Sequence, residues 1–185
     1  VGTETDMAAG SAHPRSANAQ ATLALADHGV RSSVVRLAPT VHGESDHGFI
    51  AALISIARAK GVSGYIGDGS NRWTAVHRLD AARLFRLAVE KAPAGSVLHG
   101  VADEGVPVRN IAAVIGRHLE LLLVSVPQAQ AAEHFGWLGM FLAADVPASS
   151  ALTRELLGWQ PTYPGLIDDL EQGHYFLDLA AVPRS

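Results

Sequence analysis

The sequence predicts a mixed α/β fold, and three observations carry that prediction. Ser32-Ser33-Val34-Val35-Arg36-Leu37 is a short β-branched run placed after a helical segment and a glycine, the rhythm of a strand buried on both faces of a parallel sheet. Further runs of strand length, Val62 to Ile66, Ser96 to Val101 and Leu121 to Val126, alternate with helical stripes along the rest of the chain. Hydrophobic residues make up 48% of the 185 residues and charged residues only 17%, so the chain is globular rather than disordered and long enough for a real core.

The elements follow in order. Residues 1 to 14 hold Gly, Ser, Thr, Asp and a His-Pro pair without periodicity and read as an irregular lead-in. From Pro14 to His28 an Ala-rich segment reads as a helix, with Pro14 suited to the first turn and Gly29 to the stop. After the strand at 32–37, Ala38-Pro39-Thr40-Val41-His42-Gly43 reads as a loop at its C-terminal end, where open α/β sheets place their ligands. Apolar residues at 49, 50, 53, 54 and 57 form a helical stripe from Phe49 to Lys60, closed by Gly61. A second helix is expected from Asp80 to Lys91, with Ala81, Leu84, Phe85, Ala88 and Val89 on its buried face.

Val106-Pro107-Val108 reads as a strand-like entry into a helix carrying Ile111, Ile115 and Leu119. Gln128 to His134 suits a short helix, while the apolar stretch 135–144 has no clear period. Ser149 or Ser150 can cap a helix to Leu157, stopped by Gly158. Pro161 and Pro164 keep Trp159 to Pro164 extended or turned, a last helix runs through about Gln172, and Val182 to Ser185 is a tail.

Composition removes several functions. Net charge is −4 with no Lys/Arg run, which argues against nucleic acid as a partner. Cysteine is absent, excluding disulfides, thiolate catalysis and Cys-ligated zinc, and fitting a reducing compartment. No apolar run has the length of a membrane span, and the acidic start Val1 to Asp6 lacks a signal-peptide pattern, so a soluble cytoplasmic protein with no membrane partner is expected. The nine histidines include no His-x-x-x-His pair, so no metal site is expected, and there is no Gly-x-Ser-x-Gly nucleophile elbow.

The stretch Tyr65 to Arg83 carries most of the functional signal. An apolar strand enters a Gly67-Asp68-Gly69 turn, Asn71-Arg72-Trp73 follows, and a short apolar run delivers His77 and Asp80 to a helix start. Free N–H groups at a helix start, with an arginine nearby, suit an anionic or sugar-like ligand. The plainer reading is that the glycines only turn the chain and Asp80 only favours the first helical turn. No Gly-rich turn joins a strand to a helix as a dinucleotide fingerprint requires. If a nucleotide is bound, its pyrophosphate cradle lies outside this chain.

Four segments in order resemble one family. Val34 to Gly43 is similar to the sixth-strand segment of the extended short-chain dehydrogenase/reductases, the NAD-dependent epimerase/dehydratase group, in its arginine followed by a Val-x-Gly ending. Gly67-Asp68-Gly69 through Val76-His77-Arg78-Leu79-Asp80-Ala81-Ala82 resembles that family's Gly-x-Gly and Val-His-Val-x-Asp-x-Ala segment. Val106 to Gly116 resembles its helix near the substrate domain, and Leu152 to Pro161 its Leu-Gly-Trp-x-Pro ending. The resemblance implies the C-terminal portion of a Rossmann-like doubly wound parallel sheet plus a small α/β substrate domain. Residues 1–44 would be the last helix–strand unit of the Rossmann-like domain and 45–185 the substrate-binding part. A chain that starts mid-domain would leave edges and apolar faces uncovered, so marginal stability or association into a homo-oligomer is expected.

By the same resemblance the protein is an NAD- or NADP-dependent oxidoreductase or epimerase acting by hydride transfer on a small or sugar-like substrate. Pro39, Thr40 and Val41 would line the nicotinamide side of the cofactor, and His42, Arg72 and Trp73 would meet substrate. Against this, Pro39 can merely end a strand, His42 can be a polar loop residue, and Arg72 can be a solvated charge, lying one residue off the register of the family's phosphate-holding arginine with Trp73 in line. His77 and Asp80 are expected to fix the turn. Phe135 and Trp137 wall a pocket or belong to the core, the core being the simpler expectation. The family's Tyr-x-x-x-Lys positions fall on Arg15 and Ala19, neither of which can shuttle a proton at neutral pH. No catalytic residue is assigned, and the alternative is a non-catalytic ligand-binding or regulatory module of the same fold.

Overall fold

The structure, a computed structural model, describes residues 1–6 and 14–177; part of the expected lead-in and the tail Val182 to Ser185 lie outside the described residues. Helix α1 (Pro14–Ala24) tightens into a 3-10 turn over Leu25–His28 and stops at Gly29, whose left-handed φ of 78° reverses the chain. Strand β1 (Ser33–Leu37) follows. Helix α2 (Phe49–Lys60) and β3 (Val62–Ile66) fall where periodicity and the Gly61 stop put them.

Thr40–His42 is a short strand, β2, and not the loop the sequence suggests. Two of its three residues are β-branched, and they find a partner in β4 (Arg72–His77), with Thr40 opposite Ala75 and His42 opposite His77. Asp103–Pro107 forms β6, longer than the Val106 entry expected. Asp, Glu and Gly are poor strand formers, but the free edge of β4 supplies the ladder, and β6 pairs there antiparallel. Strand β5 (Ser96–Gly100) lies parallel to β1, and β7 (Leu122–Val126) parallel to β3. The parallel pairs are as a Rossmann-like sheet requires; β4 with β6 is the antiparallel exception.

Helix α3 starts at Arg78 and runs to Lys91, two residues earlier than expected, because the His77 side chain caps it: Leu79 N–H donates to His77 Nδ1 at 3.2 Å. The helix buries Ala81, Leu84 and Ala88, whereas Phe85 and Val89 are exposed, contrary to the sequence reading. They stand about 100° further round the helix than Leu84 and Ala88, off the stripe that meets the core.

Two apolar clusters organise the remainder. One gathers Ala38, Val76, Leu84, Leu98, Leu157 and Trp159 around β1, β5 and α3, with α7 (Ala151–Leu157) on its flank. The larger joins α2, β3 and β7 to α4 (Val108–Leu119), α5 (Ala131–Phe135), α6 (Gly139–Leu142) and α8 (Leu166–Glu171). The stretch 135–144, ambiguous by period, resolves into a 3-10 turn at Gly136–Leu138 followed by α6; Leu138 and Leu142 are buried, while Trp137 and Phe141 face outward. Phe135 belongs to the core and Trp137, 58% exposed, does not. No helix among the described residues is long and apolar enough to cross a membrane.

Candidate functional site

Strand β1 ends at Leu37, Ala38 N–H donates to Gly100 O across to β5, and the exposed Pro39 then turns the chain into β2. This is the carboxyl end of the parallel pair, the expected ligand mouth of an open α/β sheet. Alternation along β2 puts Thr40 and His42 on one face, both buried, and Val41 on the other. Thr40 Oγ1 and His42 Nε2 have no hydrogen-bond partner within the protein.

His42 is anchored by a residue far along the chain. Its Nδ1 lies 2.8 Å from Asp169 Oδ2 on α8, and His174 Nε2 lies 3.0 Å from the other oxygen. An ionised carboxylate only accepts, so both imidazoles donate to it, and His42 Nε2 is the ring nitrogen left without a partner in the protein. Burial by itself would push the Asp169 carboxyl up; the hydrogen bonds from His42 and His174, with the charges on those rings, outweigh it and hold Asp169 below the usual carboxylate range.

His77, opposite His42 on β4, presents its ring edge-on to His42 at 5.4 Å between centroids and stacks on Tyr163 at 4.7 Å. Burial, reinforced by repulsion from His42 and only partly opposed by Asp169 and Asp80, lowers its pKa, so His77 is neutral at pH 7. Asp80 does not face His77 as a partner. Its carboxylate accepts from Thr162 N–H and Tyr163 N–H at 3.0–3.1 Å, while Trp159 Nε1–H donates to its backbone carbonyl.

The loop after β2 is clamped as well. Gly43 N–H donates to Tyr175 Oη, which in turn donates to Asp46 Oδ2, each at 2.9 Å. Burial keeps the Tyr175 phenol far above its ordinary pKa, so it remains a donor.

Arg72 and Trp73 stand at the other end of β4. Five residues at roughly 3.3 Å each separate Arg72 from His77, about 16 Å, so the structure brings Pro39–His42 and His77 together and sets Arg72 apart. Trp73 is 1% exposed and packs on Phe49 in the larger cluster. Arg72 lines a cleft of about 480 Å3 at the carboxyl ends of β3 and β7, together with Ile66, Gly67, Asp68, Gln128 and Asp145. Its turn needs glycine at 69: φ is +69°, and a Cβ there would meet Tyr65 Cδ2 and Arg109 Cβ at 2.6 Å.

Asp169, His174, Tyr175 and Asp145 were not singled out from sequence. Asp169 sits 127 residues from His42 and reads locally as an acidic residue in a helix's first turn. Among the described residues no group of three or more His, Asp or Glu side chains is placed to hold a metal ion.

No family model matches the chain. It is 50% identical over 176 residues to an uncharacterized protein of Schizosaccharomyces pombe, covering 95% of this chain and 60% of that one. To an uncharacterized protein of Saccharomyces cerevisiae it is 46% identical over 160 residues, covering 86% and 54%. The chain thus spans between half and two thirds of the length of these curated relatives.

Among solved structures it is similar to the dTDP-glucose 4,6-dehydratase DesIV of Streptomyces venezuelae, solved with NAD and TYD, at a TM-score of 0.63 and 17% identity over 82% of this chain and 47% of that one. It is also similar to RMD of Pseudomonas aeruginosa, solved with NADPH, at 0.60 and 18% over 86% and 53%. At this identity the likeness speaks for the fold. The chain has the α/β fold of these two structures, over about half of their length.

Proposed function

We propose that this chain is the substrate-side portion of an NAD(P)-dependent oxidoreductase or epimerase acting on a small or sugar-like substrate. The observation that carries the reading is the parallel β1–β5 pair whose carboxyl end opens on Pro39, set in a fold shared with structures solved with NAD and NADPH. Pro39, Thr40 and Val41 would hold the nicotinamide end of the dinucleotide. The unpartnered Thr40 hydroxyl beside the exposed Pro39 fits a polar group arriving there. The bound nicotinamide would supply hydride acceptance or donation.

The chain's own residues then position and exclude. The Tyr175–Asp46–Gly43 clamp fixes the loop that borders the mouth, and Asp169 fixes the His42 ring with Nε2 left unpartnered. A second reading, a ligand-binding module without turnover, is favoured by one observation: Arg15 and Ala19 stand where the resemblance places the tyrosine and lysine of proton transfer.

Calorimetric titration with NADH and NADPH separates the readings. The full-length Schizosaccharomyces pombe relative is expected to bind one of them in the micromolar range, and the 185-residue chain at least a hundredfold more weakly, since no Gly-rich cradle is in its sequence. A full-length relative that takes up neither dinucleotide sinks the oxidoreductase reading.

A further inference from the structure

The cleft at Arg72 bears on what kind of substrate this fold takes here. DesIV is a dTDP-glucose 4,6-dehydratase, and dTDP-glucose is a sugar carried by a nucleoside diphosphate. A diphosphate is usually met by an arginine fork, whose paired N–H groups match phosphate and carboxylate oxygens equally well. In this chain a carboxylate already fills the fork. Asp145 Oδ1 accepts from Arg72 Nε at 3.0 Å and from the Arg72 backbone N–H at 2.7 Å, and Asp145 Oδ2 accepts from Nη2 at 2.9 Å.

The pair is locked from both sides by hydrogen bonds to backbone carbonyls that need neither charge. Asn71 Nδ2 donates to Leu142 O at 2.8 Å and Ala144 O at 3.1 Å, and Val146 N–H donates to Arg72 O at 2.8 Å. The segment 142–146 is therefore held against β4 with Asp145 over the guanidinium. Trp73, which stands in the register where the resemblance puts the phosphate-holding arginine, is buried in the core and offers no charge.

The remaining charge on the cleft wall is negative. Asp68 and Asp145 line it with Arg72 as the sole cation among the lining residues. The nearby Arg109 lies over the Tyr65 ring, 5.5 Å from its centroid. Ser70 N–H and Oγ–H both bond Asp68 Oδ1 and hold that carboxyl below its usual range, while the Arg72 side chain brings Asp145 down to about 2. Both are charged at neutral pH. With Asp145 paired to Arg72, the lining keeps one net negative charge, Asp68, on which the Arg109 charge also acts; it holds no unpaired cation for an anion and offers carboxylate acceptors to hydroxyl groups.

We infer that the substrate of this cleft carries no nucleoside diphosphate, and that Asp145 is the specificity-determining residue: by occupying Arg72 it reserves the cleft for a neutral or cationic hydroxylated small molecule. The inference deepens the proposed function and rests on it, in that the cleft is taken as part of the substrate side.

The test is calorimetric titration of the 185-residue chain with UDP. Wild type shows no saturable binding. Asp145→Ala frees the fork and raises UDP affinity at least about tenfold, the gain of one charge-assisted phosphate contact, and the double variant Arg72→Ala/Asp145→Ala loses that gain. Asp145→Asn, which keeps the shape, decides the matter if Asp145→Ala fails to fold. The inference is overturned by a wild-type chain that binds UDP and loses it in Arg72→Ala. It is equally overturned by Asp145 variants that melt like wild type and bind UDP no better. Dinucleotide binding by the full-length relative is a separate measurement: a relative that takes up neither NADH nor NADPH ends the proposed function while the Asp145 series still reads the cleft, and a failed Asp145 series ends this inference whatever the relative binds.

Discussion

His42 and Asp169 meet with 0% and 4% of their side chains exposed, whereas Arg72 and Asp145 meet with 43% and 46% exposed. Both contacts set a nitrogen donor on a carboxylate at 2.8–2.9 Å, and both join segments far apart in sequence. Inside the protein an unpaired polar group loses water without compensation, so the His42–Asp169–His174 set must be complete for β2, α8 and the turn after α8 to sit together. At the surface water competes for both ions, and the pair adds little to folding. Its consequence is instead that a guanidinium facing a cleft is already taken. Burial decides which of the two contacts shapes the fold and which shapes recognition.

The largest expected effect follows from breaking the buried side. Asp169→Ala leaves two imidazole N–H groups without their acceptor, one of them in the interior, and is expected to cost about 3 kcal/mol. For a chain of this size that is a fall in melting temperature of roughly 6–12 °C, read by urea and thermal unfolding. Asp169→Asn retains an acceptor for His42 and should lose less. A chain with Asp169→Ala that unfolds with wild type would show that the buried set carries no share of the fold.

A smaller effect is expected from pH on the same cluster. The His77 pKa is lowered on folding, so between its folded and unfolded values the unfolded chain binds the proton more readily. Stability is therefore full above the unfolded value of 6.5 and declines as pH falls from there toward the folded value. Asp169 adds a second loss that begins only as pH falls through the unfolded value of 3.8, where the unfolded chain takes up the proton first, and grows down to the lower folded value. Urea midpoints from pH 8 to pH 5 should decline for wild type and decline less for His77→Asn, which keeps a helix-capping acceptor but does not titrate, the remaining slope coming from His134, which burial also holds below its ordinary pKa. Parallel slopes in the two proteins would assign the acid sensitivity elsewhere.

What the sequence discloses follows the range of the interaction. Helix α2 and strand β3 are legible because periodicity, a β-branched or apolar run and Gly61 all act within a few residues. Strand β6 is not, since Asp103, Glu104 and Gly105 become a strand only because the edge of β4 is there to pair with them. Phe85 reads as buried because an amphipathic stripe has a broad margin, and the packing of α3 on β1 and β4 fixes where that margin falls. At the candidate site, Pro39 to His42 and Arg72 stand out in the sequence because they lie in local motifs. Their partners could not: Asp169 is 127 residues from His42 and Asp145 is 73 from Arg72, and neither aspartate has a local signature that distinguishes it from a surface charge.

The smallest effect is the one that keeps the two contacts distinct. Arg72→Ala removes both side-chain bonds to Asp145 but leaves the Asn71 bonds to Leu142 O and Ala144 O and the bond from Val146 N–H to the backbone carbonyl of residue 72. The segment 142–146 therefore keeps its place, and the guanidinium stem is already half in water. A shift in melting temperature within about 2 °C is expected, below the change from Asp169→Ala. A fall as large as that of Asp169→Ala would mean that the surface pair also holds the fold, and Asp145 could then no longer be read as a residue that acts mainly on which ligands the cleft admits.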